Sequence, residues 1–234
     1  MREFILFIDT ETTGIPLDWD APYSDNESWP YSVQIAWSVY NRQGQELKSE
    51  NHYIYEPELV ISEASERIHG ITKAFLEERG ERRKDVLLLL TQDLKQYKPL
   101  VVGHFMQLDY HMLGVGFHRA NLPNPLPGLP TFCTMKASAS FLLRQQQCFL
   151  RLGELYERLF HKPLERQHDA AVDAQATAAC FFKLLEQGDI TEDTIRQQQT
   201  ARQEVVKAPE PRTNSILLLL LAIVILAVLL ILLI

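Results

Sequence analysis

Phe4-Ile5-Leu6-Phe7-Ile8-Asp9-Thr10-Glu11-Thr12-Thr13-Gly14 reads as a short apolar strand that runs into two carboxylates. Residues two apart on a strand project from the same face, so Asp9 and Glu11 point the same way as neighbours. Two like charges that close are costly unless a cation lies between them. The pair therefore predicts part of a divalent metal site. Phe4 to Ile8 is apolar enough for a buried central strand, which makes its end a rigid platform. The remaining ligands have to come from later in the chain.

The 234 residues suffice for one sizeable domain and an appendage. Acidic residues outnumber basic ones, 30 to 23, for a net charge of -7. That argues against a protein held to duplex nucleic acid by an overall basic surface. It leaves a phosphodiester substrate open, because bound cations offset carboxylates locally. Cys133, Cys148 and Cys180 are odd in number and lack a CxxC spacing, so reduced structural thiols are expected.

Downstream of Gly14 a polar and aromatic loop carries Trp19, Tyr23 and Trp29. Ser32 to Tyr40 is rich in β formers and predicts a second strand. A hairpin turn at Asn41 to Gly44 leads to a third strand over Glu46 to Tyr55. Ser62 opens a short helix that Gly70 ends, and Thr72 caps the next. Helices are predicted over Glu81 to Tyr97, Gln107 to Ala120, Cys148 to Phe160 and Asp169 to Glu186 from their apolar periodicity. Leu100 to Gly103 is a short buried strand of the parallel kind. Thr131 to Leu143 is expected to turn helical after Cys133-Thr134. The expected domains are residues 1–190, a polar stalk and linker over 191–215, and an apolar segment over 216–234.

Two more acidic residues stand at helix starts. Asp109 follows the buried strand Leu100 to Gly103, and Asp173 lies in the first turns of the helix that His168 introduces. With Asp9 and Glu11 they supply four carboxylates, the oxygen donors that hard cations take. His168 brings the side chain that most readily changes charge near neutral pH. Blander readings exist for each: a solvated strand end, a helix-start charge favoured by the dipole, an N-cap for Asp169. His104, His111 and His118, spaced by seven, read as structural rather than zinc ligands. Arg82-Arg83-Lys84 reads as a solvated helix start.

Taken in order, Asp9-Thr10-Glu11-Thr12-Thr13-Gly14, Asp109 and His168-Asp169-Ala170-Ala171-Val172-Asp173-Ala174 resemble the three exonuclease motifs of the DEDD superfamily, His subclass. That family includes the epsilon proofreading subunit of bacterial DNA polymerase III. Val33-Gln34-Ile35-Ala36, Ile68-His69-Gly70-Ile71-Thr72 and Cys133-Thr134 resemble further landmarks, and the likeness covers about residues 3 to 187. It implies a ribonuclease-H-like α/β fold with a mixed sheet flanked by helices. It also implies 3′-to-5′ exonuclease activity with two divalent ions, Mg²⁺ or Mn²⁺, on single-stranded or frayed nucleic-acid 3′ ends. Asp9, Glu11, Asp109 and Asp173 are the implied ligands and His168 the implied general base. Thr12, Thr13, Gly14, Ile15 and His69 are the implied substrate contacts. The middle motif departs from the family's Gly-His-Asn-x-x-Phe-Asp: Phe105 stands for the Asn and Leu108 for the Phe. An exoribonuclease of the same fold and a weakly catalytic, membrane-tethered nucleic-acid adaptor remain alternatives.

Ile216 to Ile234 is an unbroken apolar run without charge, Gly or Pro. As a helix it is about 28 Å long, close to the ~30 Å hydrocarbon core. Lys207 and Arg212 precede it, which places the nuclease on the cytoplasmic side. A single-span, tail-anchored protein with its domain in the cytoplasm is expected; a polymerase or membrane partner stays open.

Overall fold

The computed structural model describes residues 1–141 and 149–207. The strands are β1 (Phe4–Thr12), β2 (Ser32–Asn41), β3 (Glu46–Tyr53), β4 (Leu100–Gly103) and β5 (Thr131–Cys133). The helices are α1 (Glu63–His69), α2 (Lys73–Arg79), α3 (Arg83–Tyr97), α4 (Met106–Arg119), α5 (Thr134–Ala137), α6 (Leu152–Phe160), α7 (Ala170–Gln187) and α8 (Glu192–Lys207). The sheet order is β3-β2-β1-β4-β5, with β1 antiparallel to β2 and parallel to β4, and β4 parallel to β5. This is the expected mixed α/β sheet with the acidic strand at its centre.

Successive residues of β1 feed opposite cores, as the pleat requires. Leu6 and Ile8 join Val86, Leu90, Leu113 and Phe117 from α3 and α4. Ile5 and Phe7 join Leu155 of α6 and Phe181 and Leu184 of α7. All four β1 side chains are fully buried, each worth about 1.5–3 kcal/mol over exposure. Helices on both faces thus clamp the strand just before Asp9.

Several boundaries differ from expectation for local reasons. β1 extends to Thr12, so both carboxylates sit inside the strand. α3 starts at Arg83 because the Glu81 backbone pairs with Tyr53 and Tyr55 (N–H to O 2.8 Å, and O from N–H 3.0 Å). Arg83, expected in solvent, is buried and lies over the Tyr31 ring at 5.4 Å. Thr131–Cys133 is a strand rather than the run-up to a helix; three residues are too few for periodicity to show. α6 begins at Leu152, where the Glu154 carboxylate accepts the Arg151 N–H at 2.7 Å; Cys148 lies outside the described residues.

The compact unit runs from Met1 to Gln199 and so includes the first half of α8, within the stretch that reads as stalk. Gln198 accepts the Cys133 N–H at 2.9 Å and donates to the Cys133 carbonyl at 3.2 Å. Gln199 accepts the Thr131 N–H at 3.1 Å and donates to the Thr131 carbonyl. Among the described residues no helix is long and apolar enough to cross a membrane. The expected span Ile216 to Ile234, with the linker from residue 208 on, lies outside the described residues.

Candidate active site

Asp9 and Glu11 continue the row of β1 that begins with Ile5 and Phe7, so they emerge on the side of the sheet covered by α7. Thr10, on the other row, reaches the α4 side, and its hydroxyl donates to Asp109 Oδ1 at 2.9 Å. Asp109 is buried in the first turn of α4, directly after β4. β4 lies beside β1 in parallel register, Phe7 opposite Val102, which brings Asp109 to the same end of the sheet as Asp9. Gly103 makes room for it: a Cβ there would come within 2.8 Å of Asp109 Oδ2. The β1–β2 register shifts between Glu11 and Thr12, a local irregularity of the kind that re-aims side chains beside active sites.

Asp173 arrives from α7. Its Oδ2 accepts the His168 backbone N–H at 3.0 Å, while Oδ1 is buried with no hydrogen-bond partner. Glu11, His168 and Asp173 each bring a ligand atom to within 4.8 Å of the others. His168 is solvent-exposed and holds a left-handed backbone (φ 66°). The N-terminus of α7 is fixed from β2. The buried Gln34 amide donates to Asp169 Oδ1 at 3.0 Å and to Asn51 Oδ1 at 2.9 Å, and accepts the Ala170 N–H at 3.2 Å. Asp169 caps α7 through the Ala171 N–H, the N-cap role read from the sequence.

The carboxylates raise one another's proton affinity. Desolvation is the largest cause in each case. Repulsion from Asp109, Asp173 and Glu11 adds to it at Asp9, which is held well above the usual range. Glu11 is pushed up to about 8, with Asp173 and Asp109 adding to burial. Burial takes Asp109 to about 7 against the opposing Thr10 hydrogen bond, and Asp173 to about 6. Four desolvated carboxylates, an orphaned buried oxygen and an imidazole within ligand distance are the donor chemistry of a divalent-cation site. The residues present fit the ions that the sequence implies.

A family profile described as Exonuclease (RNase_T) matches residues 6–181. The chain belongs to this exonuclease family. Similar solved structures include the zinc-ion-bound form of E. coli ExoI with single-stranded DNA (TM-score 0.65, 18% identity, covering 83% of this chain and 42% of that one). They also include the nuclease domain of 3′hExo, a DEDDh family member bound to rAMP (0.62, 17%, 80% and 94%). Cell-death related nuclease 4, CRN-4, is a third (0.63, 16%, 80% and 65%). At these identities the likeness establishes the fold. The chain spans under half the length of the ExoI chains it matches. No curated protein matches at the level of sequence.

Around these carboxylates, the candidate substrate contacts divide. Gly14 faces open space and Ile15 is 73% exposed. Thr13 is committed to its neighbours. Its N–H goes to the Tyr31 carbonyl at 2.9 Å, its hydroxyl accepts the Tyr31 N–H at 3.0 Å, and its carbonyl accepts the Ser62 N–H at 3.2 Å. The Thr12 hydroxyl donates to the Gly14 carbonyl at 2.6 Å. His69 accepts the Ile71 N–H at Nδ1, which leaves Nε2–H to donate to the Thr12 carbonyl at 3.3 Å; burial lowers its pKa. It braces the loop that carries Thr12 to Gly14.

The spaced histidines do not converge. Burial pushes His104 down to about 4, and it bridges Thr134 (3.0 Å) and the Leu150 carbonyl (3.0 Å). His111 stacks on Trp29 at 5.2 Å. Sequence reading missed Thr10, Gly103 and the role of Gln34. Only Gln34 left a signal, a polar amide within the apolar run of β2.

Proposed function

We propose that the chain is a metal-dependent 3′-to-5′ exonuclease that releases nucleoside monophosphates from the 3′ end of DNA. The observation that carries the reading is the convergence of Asp9, Glu11, Asp109 and Asp173 at one end of the sheet with His168 beside them. Asp9, Glu11 and Asp173 would hold one Mg²⁺ or Mn²⁺, Asp9 would also reach a second, and Asp109 would support that second ion. Such ions supply charge stabilisation for the attacking and leaving oxygens of an in-line displacement. Asp173 Oδ1, buried without a hydrogen bond, is a donor that a cation would satisfy.

His168 is the general base. Its backbone is tied to Asp173 while its ring stays in solvent, so the imidazole can take the proton from the attacking water. The new P–O bond forms to that water oxygen, and the bond to the 3′ oxygen of the preceding nucleotide breaks. The products are a 5′-mononucleotide and a strand one residue shorter with a free 3′ hydroxyl. Ile15, exposed next to the site, contacts the terminal base. DNA is taken as the polymer on the resemblance to the proofreading subunit.

The test is digestion of 5′-labelled and 3′-labelled single- and double-stranded DNA and RNA with Mn²⁺, Mg²⁺ or EDTA. Stepwise shortening of 5′-labelled DNA and immediate release of the 3′ label support the reading. Activity undiminished in EDTA, or in Asp9→Asn, would refute it. We infer further that Ile216 to Ile234 tethers the enzyme to a membrane with the domain in the cytoplasm. Release of the full chain into the supernatant by alkaline carbonate would sink that tether.

A further inference from the structure

Beside the carboxylates lies an aromatic surface that the chemistry of hydrolysis leaves unused. Phe105 follows β4 and precedes α4, one turn before Asp109, and is 37% exposed. Trp19 comes from the loop that leaves β1 at Gly14. Their ring centroids are 5.8 Å apart at 51°. This contact spans from the exit of β1 to the start of α4, on the end of the sheet where Asp9, Glu11 and Asp109 stand. Trp19 also meets Trp29 edge-on at 6.4 Å and His111 at 5.9 Å.

The loop that presents Trp19 is strapped down. Leu17 N–H bonds the Ser28 carbonyl at 2.9 Å. Trp29 Nε1–H bonds the Ala21 carbonyl at 3.1 Å. Arg119 of α4 donates to the Trp29 and Pro30 carbonyls at 2.7 Å each. Tyr23 packs so closely on Gly114 that a Cβ there would come within 2.5 Å of its ring. The aromatic pair is therefore preorganised. Phe105 also occupies the N-cap of α4, where it makes no side-chain cap bond; Asn, Asp, Ser or Thr there would stabilise the helix. An exposed ring stands where a small polar residue would serve the fold better.

We propose that Phe105 and Trp19 form a stacking shelf for an unpaired base of the substrate strand, selecting frayed or single-stranded 3′ ends. This rests on the nuclease reading of the adjacent carboxylates. The chain is acidic overall, 30 acidic residues against 23 basic, and its site concentrates negative charge. Electrostatic attraction, the usual source of strand affinity, is weak here. Base–aromatic stacking is uncharged and tolerant of sequence, because every base has a π face. A base still paired in a duplex cannot turn onto the shelf.

Two readouts test this on the full chain in mild detergent. Trp29 and Trp37 are buried, so the fluorescence difference between the parent and Trp19→Phe reports Trp19. In EDTA, where hydrolysis is absent, a thymidine oligonucleotide should quench that signal. Phe105→Ala and Trp19→Ala should each weaken oligonucleotide binding about tenfold. Phe105→Asn should weaken binding similarly while raising Tm, which excludes unfolding as the cause. With Mn²⁺, the loss of kcat/KM on the oligonucleotide should exceed that on the p-nitrophenyl ester of thymidine 5′-monophosphate, which has no second base. Binding unchanged within about twofold in all three variants would overturn the shelf. So would a Trp19 signal that responds to phosphatidylcholine vesicles and not to oligonucleotide. A parent that binds and quenches but hydrolyses neither substrate would sink the nuclease reading and leave the shelf standing.

Discussion

Gln34→Leu removes the amide that joins the middle of the sheet to the start of α7 while nearly keeping its volume. Three hydrogen bonds are lost: from the Ala170 N–H at 3.2 Å, to Asn51 at 2.9 Å and to the Asp169 carboxylate at 3.0 Å. Neutral bonds contribute about 1 kcal/mol each and one to a carboxylate about 1.5–3 kcal/mol. The buried Ala170 N–H, which has no water to turn to, bears the full cost of losing its acceptor. The apolar leucine recovers roughly 1 kcal/mol, leaving a net loss of about 3 kcal/mol. At ~2–4 °C per kcal/mol for a domain of this size, Tm should fall by about 6–12 °C. The assay is thermal unfolding of the full chain in EDTA, followed by tryptophan fluorescence. Activity with Mn²⁺ at a temperature where the variant is folded should also fall, because His168 and Asp173 both hang on that helix start. A Tm within about 2 °C of the parent would refute the claim that Gln34 holds α7 in place.

Stability in EDTA should fall as pH rises. Glu11, Asp109 and Asp173 titrate at about 8, about 7 and about 6 in the folded protein, above their unfolded values near 4. The folded state therefore keeps protons that the unfolded state has released. The stability this provides is complete below about pH 4 and is lost as pH climbs through those values. Tm measured from about pH 5 to about pH 8.5 should decline in EDTA, and Mn²⁺ should reverse the decline by binding the ionised carboxylates; a flat profile counts against the buried cluster. Gly103→Ala puts a Cβ 2.8 Å from Asp109 Oδ2 and forces that carboxylate to move. Metal-dependent activity should drop about 10–100-fold, with circular dichroism confirming an intact fold. Thr10→Val deletes a hydrogen bond that lowers the Asp109 pKa. The acid limb of the pH–rate profile should move upward by about one unit, and an unmoved limb would separate Asp109 from catalysis.

Much of this protein is written in short-range pattern. The face shared by Asp9 and Glu11 follows from the pleat alone, and helices α3, α4, α6 and α7 follow from apolar spacing to within a few residues. What escaped depends on contacts between distant segments. Thr10 looks like filler between two acids until β4 and α4 bring Asp109 across from 99 positions away. Gly103 looks like a strand terminator, and only the packed carboxylate shows what its missing side chain is for. Arg83 reads as one of three exposed cations until Tyr31 and Glu56 fold around it. β5 is too short for any periodicity, and the parallel pairing with β4 alone defines it.

The outer edge of that short strand has a further consequence. Thr131 and Cys133 turn their N–H and C=O groups away from β4, and all four meet the side-chain amides of Gln198 and Gln199. Two glutamines thus stand in for a sixth strand. A backbone neighbour would be removable only by dismantling the sheet, whereas a side-chain neighbour leaves as soon as its helix frays. Isolated helices of this length are marginal in water. The readiness of the sheet to accept a foreign strand is thereby set at a distance, by the helicity of a polar segment outside it. Substitutions that loosen the helix between Thr191 and Gln199 should uncover this edge without altering a single residue of the β-sheet.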